Sequence, residues 1–319
     1  MSARDDRETI DFVSTAPVAG SLDVAWNHGR RRKRDPAGPA IQVHHYDEHT
    51  VILRQSKAVH YEAPFLFLLF GNDRALLLDS GATGDPGPFP LRATVDGLIA
   101  TWLARHPRAG YELVVAHTHG HGDHVAGDVQ FADRPGTRVV PRALDGVREF
   151  FGFDAAAWPD QTVAFDLGGR TVEAFGSPGH HEAAVTFYDA WTGILFTGDT
   201  VLPGRLYVAD FATFRATVDR MAAFAETHPV SHLLGCHVEM SNRFGHDYPI
   251  GATWQPDERA PQMTPDRLLA IRDAVASPVV ARRGVHRFED FIVYNEPRRT
   301  DVIKLTLRGR AAKAGFRRR

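Results

Sequence analysis

Short apolar runs separated by turn residues dominate the chain from residue 50 onward. The runs at 50–54, 64–70 and 74–78 are rich in branched and aromatic residues, and turn signals such as Gly-Asn-Asp at 71–73 separate them. Such runs predict β-strands. Residues 91–105 place apolar side chains at helical spacing, which predicts an amphipathic helix.

The alternation of predicted elements continues towards the C-terminal end. Further strands are predicted at 113–116, 138–140, 161–166, 170–175, 184–188, 194–196, 232–235, 285–294 and 301–307, and further helices at 125–131, 142–150, 211–226 and 266–275. Interspersed helices and buried strands predict a layered α/β architecture. Residues 1–40 are polar and irregular, and the basic tail from residue 308 is expected to fray.

Bulk composition narrows the class of protein. Of 319 residues, 43% are hydrophobic and 24% are charged, values typical of soluble globular proteins. No apolar run approaches the length of about 20 residues that spans a bilayer. The single cysteine, Cys236, excludes an intramolecular disulfide and a cysteine-rich zinc module. The segment 1–8 lacks the apolar core of a signal peptide, so a cytoplasmic location is expected.

Charge gives little support to a nucleic-acid or membrane partner. The net charge is −2, so there is no overall field that would attract either. The basic run at 30–34 is interpreted as a solvated loop. A nucleic-acid-binding protein that uses this run and the basic tail beside a vestigial site remains an alternative, and its mark would be salt-dependent binding.

The candidate chemistry lies in a histidine-rich segment that follows the predicted strand at 113–116. The residues at 119–124 read His-Gly-His-Gly-Asp-His. On an extended loop alternate residues face one side, so His119, His121 and Asp123 can converge while His124 turns elsewhere. Imidazole and carboxylate suit Zn²⁺, Fe²⁺ and Mn²⁺, and the lack of thiolate argues against a closed structural zinc site.

This segment resembles the signature of the metallo-β-lactamase superfamily. Four further segments resemble motifs of that family in the same chain order, namely LLLDSG at 76–81, SPGH at 177–180, FTGDT at 196–200 and LLGCH at 233–237. The resemblance covers roughly residues 51–237. It implies a four-layer αββα sandwich, with a catalytic domain at 41–251, an N-terminal extension at 1–40 and a C-terminal elaboration at 252–319.

The resemblance also implies two divalent metal ions, with zinc favoured and iron or manganese as alternatives. One ion would take three histidines, the other would take two histidines and an aspartate, and a second aspartate would bridge them. The implied ligands are His119, His121 and His180 for the first ion, Asp123, His124 and His237 for the second, and Asp199 for the bridge. Asp79 is expected to fix the tautomer of a ligating imidazole, with the capping of a turn as the alternative.

The implied reaction is the attack of a hydroxide held between the two ions on an ester-like bond. The expected substrate is a small molecule, and the bond is a thioester, lactone or carboxylic ester. Asp123 and Asp199 are the expected catalytic carboxylates, with Asp123 also handling a proton. Arg205 and Tyr207 are candidate substrate contacts. The sequence makes no prediction of oligomeric state.

Departures from particular branches of the family refine this expectation. Asp199 stands where zinc β-lactamases usually carry cysteine or serine, which disfavours antibiotic hydrolysis. His181 stands where glyoxalase II-like thioesterases often have a small hydroxyl residue, and no counterpart of their helical glutathione-binding domain is evident. Leu202 stands near the position where lactonases commonly carry a tyrosine. An iron dioxygenase of the persulfide-dioxygenase kind and a phosphodiesterase or nuclease of the same fold remain alternatives.

Overall fold

The computed structural model describes residues 9–32 and 34–317, with the side chains of the last helix described as far as residue 311. Residues 1–8, on which the signal-peptide expectation rests, lie outside the described residues. So do Lys33 of the basic run and the last two residues of the basic tail. None of the described helices is long and apolar enough to cross a membrane.

Fifteen strands and six α-helices are named here in chain order within the described residues. They are β1 (Ile41–His45), β2 (Thr50–Gln55), β3 (Phe65–Phe70), β4 (Arg74–Leu78), α1 (Leu91–Arg105), β5 (Glu112–Ala116), α2 (Gly122–Val125), β6 (Thr137–Val139), α3 (Leu144–Phe151), β7 (Thr162–Asp166), β8 (Thr171–Gly176), β9 (Val185–Asp189), β10 (Ile194–Gly198), β11 (Arg205–Val208), α4 (Phe211–Thr227), β12 (His232–Gly235), β13 (Gln262–Met263), α5 (Pro265–Ala276), β14 (Gly284–Arg287), β15 (Ile292–Asn295) and α6 (Arg299–Arg317).

Two six-stranded mixed sheets form the centre of the molecule. The first has the order β1-β2-β3-β4-β5-β6, and its last three strands are parallel. The second has the order β13-β12-β10-β9-β8-β7, with β10 and β12 parallel. A small third sheet, β11-β15-β14, adds a wall beside them. Because β13 pairs with β12, the segment after residue 251 completes the second sheet.

The alternation of side chains along β3 shows why the sheets stack. Phe65, Phe67 and Leu69 point into the core between the two sheets, whereas Leu66 and Leu68 pack with α1 on the outer face. All six residues of β3 are buried, as expected for a strand that is covered on both faces. In the second sheet, strand β10 divides its side chains between the inter-sheet core and helices α4 and α5 in the same way. These layers confirm the αββα sandwich.

The central elements confirm the sequence-based prediction, and the C-terminal region corrects it. Helix α1 has the predicted bounds, and the predicted strands from 50 to 235 begin and end within about two residues of the observed ones. The predicted strand at 301–307 is wrong, because α6 occupies it and continues through the tail that was expected to fray. The predicted strand at 285–294 is a hairpin of β14 and β15. The helix predicted at 125–131 is instead a 3₁₀ turn, Ala126–Gln130.

Candidate metal centre

The residues predicted to bind metal meet at one edge of the two sheets. Strands β4 and β5 are parallel, as are β10 and β12, so their C-terminal ends open to the same side within each pair. The ligand segments follow β5, β8, β10 and β12. Two groups of side chains with ligand atoms within 4.8 Å of one another contain these residues, His119, His121 and His180 in one and Asp123, His124, Asp199 and His237 in the other, and a third such group, Asp79, His124 and Cys236, lies behind them.

The first group consists of three imidazoles. His121 Nδ1 lies 3.0 Å from His119 Nε2 and 3.1 Å from His180 Nε2. The opposite nitrogen of His180, Nδ1, donates to the carbonyl oxygen of Tyr207 at 2.7 Å. A proton on Nδ1 leaves the lone pair of His180 Nε2 facing the other two rings.

The second group mixes imidazoles and carboxylates. His237 Nε2 lies 3.3 Å from His124 Nε2 and 3.3 Å from Asp123 Oδ2. The outer nitrogens of both rings meet acceptors, since His124 Nδ1 lies 2.9 Å from Asp79 Oδ2 and His237 Nδ1 lies 3.2 Å from the carbonyl oxygen of Glu62. Both Nε2 lone pairs therefore face the centre. Strict alternation along an extended loop would have turned His124 away from Asp123. His124 nevertheless joins this group beside Asp123, because the short helix α2 begins at Gly122.

Asp199 lies between the two groups. Its Oδ1 is 3.6 Å from His124 Nε2 and 3.5 Å from His237 Nε2, and its Oδ2 is 3.9 Å from His180 Nε2. Within the described residues, Oδ1 is buried without a hydrogen-bond partner. A buried carboxylate oxygen that lacks a donor is costly unless a cation sits beside it.

Asp79 organises the ring of His124 from behind. It is fully buried and also accepts from Thr118 N at 2.7 Å, from Thr118 Oγ1 at 2.9 Å and from Cys236 Sγ at 3.0 Å. A carboxylate that bonds the outer nitrogen of an imidazole fixes its tautomer and makes the inner nitrogen a better ligand. Cys236 packs in the core between the sheets and adds this contact.

Gly198 allows β10 to deliver Asp199 at this point. Its φ of +55° lies in the left-handed region that favours glycine. An added Cβ would lie 2.7 Å from Thr118 Cβ. A side chain at residue 198 would therefore push β10 away from the segment that carries His119.

The donor set fits two divalent ions. A tetrahedral ion about 2.0–2.1 Å from imidazole nitrogen places its ligand atoms about 3.3–3.4 Å apart. The nitrogen–nitrogen separations of 3.0 to 3.3 Å within the two groups are close to that value. Lone pairs from several imidazoles facing one another repel unless a cation lies among them, so the local chemistry favours metal.

The electrostatics of the ligands lead to the same conclusion. Burial lowers the pKa of His121 to about 4, and burial together with its histidine neighbours holds the pKa of His119 well below the usual range. Against burial, Asp199 and Asp123 raise the pKa of His237 to about 9. Burial opposes ionisation of Asp199, yet His237 and His124 hold its pKa well below the ordinary value. His119 and His121 are thus neutral donors, and in the second group Asp123 and Asp199 are ionised carboxylates that can bind a cation.

A pocket of about 290 Å³ opens beside the centre. It is lined by ligands from both groups and by an outer wall formed by Glu62, Leu202, Arg205, Tyr207, Glu239 and Ile250. The candidate substrate contacts Arg205 and Tyr207 therefore lie where a substrate would reach them. Glu62 and Glu239 were missed in the sequence, although Glu239 stands only two residues after a ligand. Strand β11, which places Arg205, also escaped prediction because its partner β15 is remote along the chain.

Other histidines near the centre have different roles. His117 Nε2 lies 2.8 Å from Asp128 Oδ1, so its ring bonds a side chain outside the two groups. His181 Nδ1 accepts from the backbone of Ala183 at 3.1 Å, and its ring lies 4.9 Å from that of His121. His181 belongs to neither ligand group.

Comparison with known proteins places this geometry in a family. A model of the metallo-beta-lactamase superfamily matches residues 63–234, more than half of the chain. A hydroxyacylglutathione hydrolase of Acidiphilium cryptum is 40% identical over 162 residues, which are 49% of this chain and 61% of that protein. A hydroxyacylglutathione hydrolase of Methylococcus capsulatus is 32% identical over 46% of this chain and 56% of its own length. Each alignment thus covers less than two thirds of the relative.

A solved metallo-beta-lactamase from Pontibacter korlensis superposes on 74% of this chain and on 99% of its own chain, at 17% sequence identity and a TM-score of 0.48.

Proposed function

This chain belongs to the metallo-β-lactamase superfamily, and from that premise we propose that it is a metal-dependent hydrolase that cleaves an ester-like bond, with a thioester as the favoured substrate. The observation that carries the proposal is the pair of ligand groups with Asp199 facing both of them at the floor of one pocket. Such a centre is built to hold two divalent ions, and zinc is the ion we propose.

Divalent ions bound in such a centre lower the pKa of water towards neutrality and polarise the substrate carbonyl. The chain's own residues supply positioning and proton transfer. Asp79 and the carbonyl oxygens of Tyr207 and Glu62 hold three imidazoles with their inner nitrogens towards the pocket. The side chain of Asp123 is only partly buried and lines the pocket, so its carboxylate can take a proton from water and pass it to the leaving group.

Two observations favour a thioester among the ester-like bonds. Both relatives described above are named for the hydrolysis of a glutathione thioester. The residue between the two ligand groups is Asp199, whereas the sequence of a zinc β-lactamase usually has cysteine or serine there. The same proposal includes a catalytic domain at 41–251 with an N-terminal extension and a C-terminal elaboration. It also includes a cytoplasmic location.

The test combines metal analysis with a substrate panel. We expect about two zinc ions per chain in purified protein, and we expect turnover of a thioester to exceed that of a lactone, a cephalosporin and a phosphodiester. Removal of metal with a chelator should abolish this turnover, and added zinc should restore it. One iron per chain with thiol-dependent oxygen uptake would instead identify a dioxygenase and overturn the proposal.

A further inference from the structure

The outer wall of the pocket decides which substrates can place their non-reacting part beside the metal centre. Its charged side chains are Glu62, Glu239 and Arg205, and its remaining members are Leu202, Tyr207 and Ile250. Among the residues that the structure describes, Arg205 is the only lysine or arginine that lines this pocket. The availability of Arg205 therefore determines whether an anionic substrate finds a partner here.

The guanidinium of Arg205 is already committed to other groups. Nε donates to Tyr207 Oη at 2.8 Å, and Nη2 donates to Glu239 Oε1. Nη1 donates to Asp247 Oδ2 at 2.7 Å and to the carbonyl oxygen of Tyr248 at 2.8 Å. Only 4% of the residue is exposed. Four of the five N–H donors of the guanidinium are thus satisfied, and two of its partners are carboxylates. A substrate carboxylate would have to displace them.

Glu62 differs from Glu239 because its charge is not paired. Within the described residues Glu62 makes no ion pair with a lysine or arginine, and Tyr61 hydrogen-bonds its side chain. Its carbonyl oxygen lies 3.2 Å from the outer nitrogen of His237, so the residue borders the metal centre directly. An approaching ligand therefore meets a carboxylate that, within the described residues, is not held in an ion pair by a lysine or arginine.

Lys57 lies behind this wall and does not line the pocket itself. It lines an adjoining space of about 10 Å³, large enough for about one water molecule, together with Glu62 and Glu239. Burial lowers the pKa of Lys57 to about 7. Burial thus weakens the cationic form of Lys57, which makes this lysine a poor counterion for the carboxylates of the wall.

We propose that the enzyme selects thioesters whose thiol portion carries an ammonium group and discriminates against an anionic thiol portion such as glutathione. The inference rests on the hydrolase function proposed above. An ammonium group in this pocket would be attracted by the carboxylate of Glu62, and the lining includes the aromatic residue Tyr207. A glutathione carboxylate would face Glu62 and find no unpaired lysine or arginine in the described lining of this pocket. In the reaction, water adds its oxygen to the acyl carbon, the C–S bond breaks, and a proton from water passes to the departing thiolate.

Three thioesters that share one acetyl group test this preference, because the contribution of the metal ions to the acyl part is then common to all. They are acetylthiocholine, which is cationic, S-acetylmercaptoethanol, which is neutral, and S-acetylglutathione, which is anionic. With zinc-loaded enzyme at about pH 8 and low ionic strength, kcat/KM for the cationic ester should exceed that for the anionic ester by about tenfold or more. The ratio should shrink in about 0.5 M salt.

The variant Glu62→Gln identifies the residue responsible. It should lower the cationic-to-neutral ratio of kcat/KM by about fivefold to tenfold, and because both esters are measured on the same variant, any general change in turnover or metal content cancels in that ratio. Glu182→Gln is the matched control, because Glu182 is exposed, does not line the pocket, and should leave the ratio unchanged.

Preference for S-acetylglutathione, or a ratio that Glu62→Gln does not move, would overturn the inference while leaving the hydrolase proposal intact. Binding of the non-hydrolysable thioethers S-methylthiocholine and S-methylglutathione, measured by calorimetry on the zinc-loaded protein, decides the preference independently of turnover. If neither chemistry nor metal analysis supports hydrolysis, the proposed function fails, and the relative binding of these two thioethers still shows which charge the pocket prefers.

Discussion

The carboxylate of Asp199 faces both ligand groups, and its Oδ1 is buried without a donor among the described residues. We therefore expect Asp199→Ala to reduce bound metal from about two ions towards one per chain and to abolish most of the turnover. Metal content after exhaustive dialysis against buffer with micromolar zinc checks this. Two ions with a near-normal rate would remove Asp199 from the centre.

Adjacent histidines offer a matched pair of variants. His180 points its inner nitrogen at His121 from a distance of 3.1 Å, whereas His181 is half-buried and accepts a hydrogen bond from the backbone of Ala183. His180→Ala should lower zinc content by about one ion and turnover by about tenfold or more, while His181→Ala should leave zinc content unchanged. Elemental analysis of both proteins gives the answer, and the reverse order would mean that His181 is the ligand.

Asp123 tests whether a ligand also handles a proton. Asp123→Asn keeps the size and one oxygen ligand but removes the charge and the basic site. With excess zinc it should bind two ions and lose on the order of 10²–10⁴ in kcat, the scale of one acid–base group. The loss should shrink for substrates whose leaving groups have a low pKa, because those depart without protonation. An equal loss across such a series would leave Asp123 as a simple ligand.

At the scale of elements, the sequence predicts best where strand and helix patterns are unambiguous. The all-apolar β3 and the helical spacing of α1 are recognisable because burial in this fold requires those patterns. The segment 301–307 misleads because its apolar and polar residues alternate as in a strand, yet it forms α6 with Val302, Ile303 and Leu307 exposed. Tertiary contacts decide this helix, since Arg308 pairs with Asp247 and local pattern does not encode that contact.

The candidate site divides in the same way. The meeting of the proposed metal ligands could be predicted because each stands after a strand in a short motif of fixed chain order. The substrate wall could not, because it combines residues 62, 202–207, 239 and 250 from separate loops. Only folding reveals that Arg205 is held by two carboxylates, and hence that the one basic residue of the wall is not available to an anion.

Asp247 joins three elements that form and support this wall. It lies 2.7 Å from Arg205 Nη1 on β11, 2.9 Å from Arg287 Nη1 on β14 and 2.7 Å from Arg308 Nη1 on α6, and it is buried. Asp247→Ala leaves the buried Arg205 with a single counterion. We expect a loss of about 3 kcal/mol or more in the free energy of unfolding.

Urea unfolding measures this loss, and the exposed Asp273→Ala on α5 is the control, for which the change should stay within about 0.5 kcal/mol. Zinc content of the folded variant should be unchanged, because Asp247 touches none of the ligands in the described contacts. Equal stability of the two variants would show that the three arginines do not depend on Asp247.

At the scale of the whole molecule, the buried pair Arg54–Glu258 ties β2 of the first sheet to the segment that leads to β13. Burial opposes ionisation of Glu258, but the hydrogen bonds from Arg54 and His28 lower its pKa from 4.5 to about 2. Because the folded pKa lies below the unfolded one, the pair stabilises the fold fully above about pH 4.5, and this stabilisation disappears as the pH falls towards about 2.

Glu258→Gln should therefore be less stable than the parent by about 3 kcal/mol at neutral pH, and the difference should shrink between about pH 4.5 and pH 2. Comparing the two proteins at each pH cancels the protonation of the metal ligands, which both share. Chemical unfolding at four pH values is the measurement. The exposed Glu226→Gln should follow the parent throughout, and a gap that does not change with pH would exclude Glu258 as the source.

The proposed metal ligands lie at strand ends, whereas the outer wall of the pocket is stabilised by Asp247. This separation has an evolutionary consequence. Substitutions at 62, 202–207 and 239–252 can alter the shape and charge of the pocket, while the buried ends of β5, β10 and β12 keep the metal chemistry unchanged. A duplicated gene could thus acquire a new substrate by changes in the wall alone. Proteins that descend from one ancestor would then retain the same five motifs and act on different substrates. Shared motifs would therefore indicate common ancestry more reliably than they indicate the substrate.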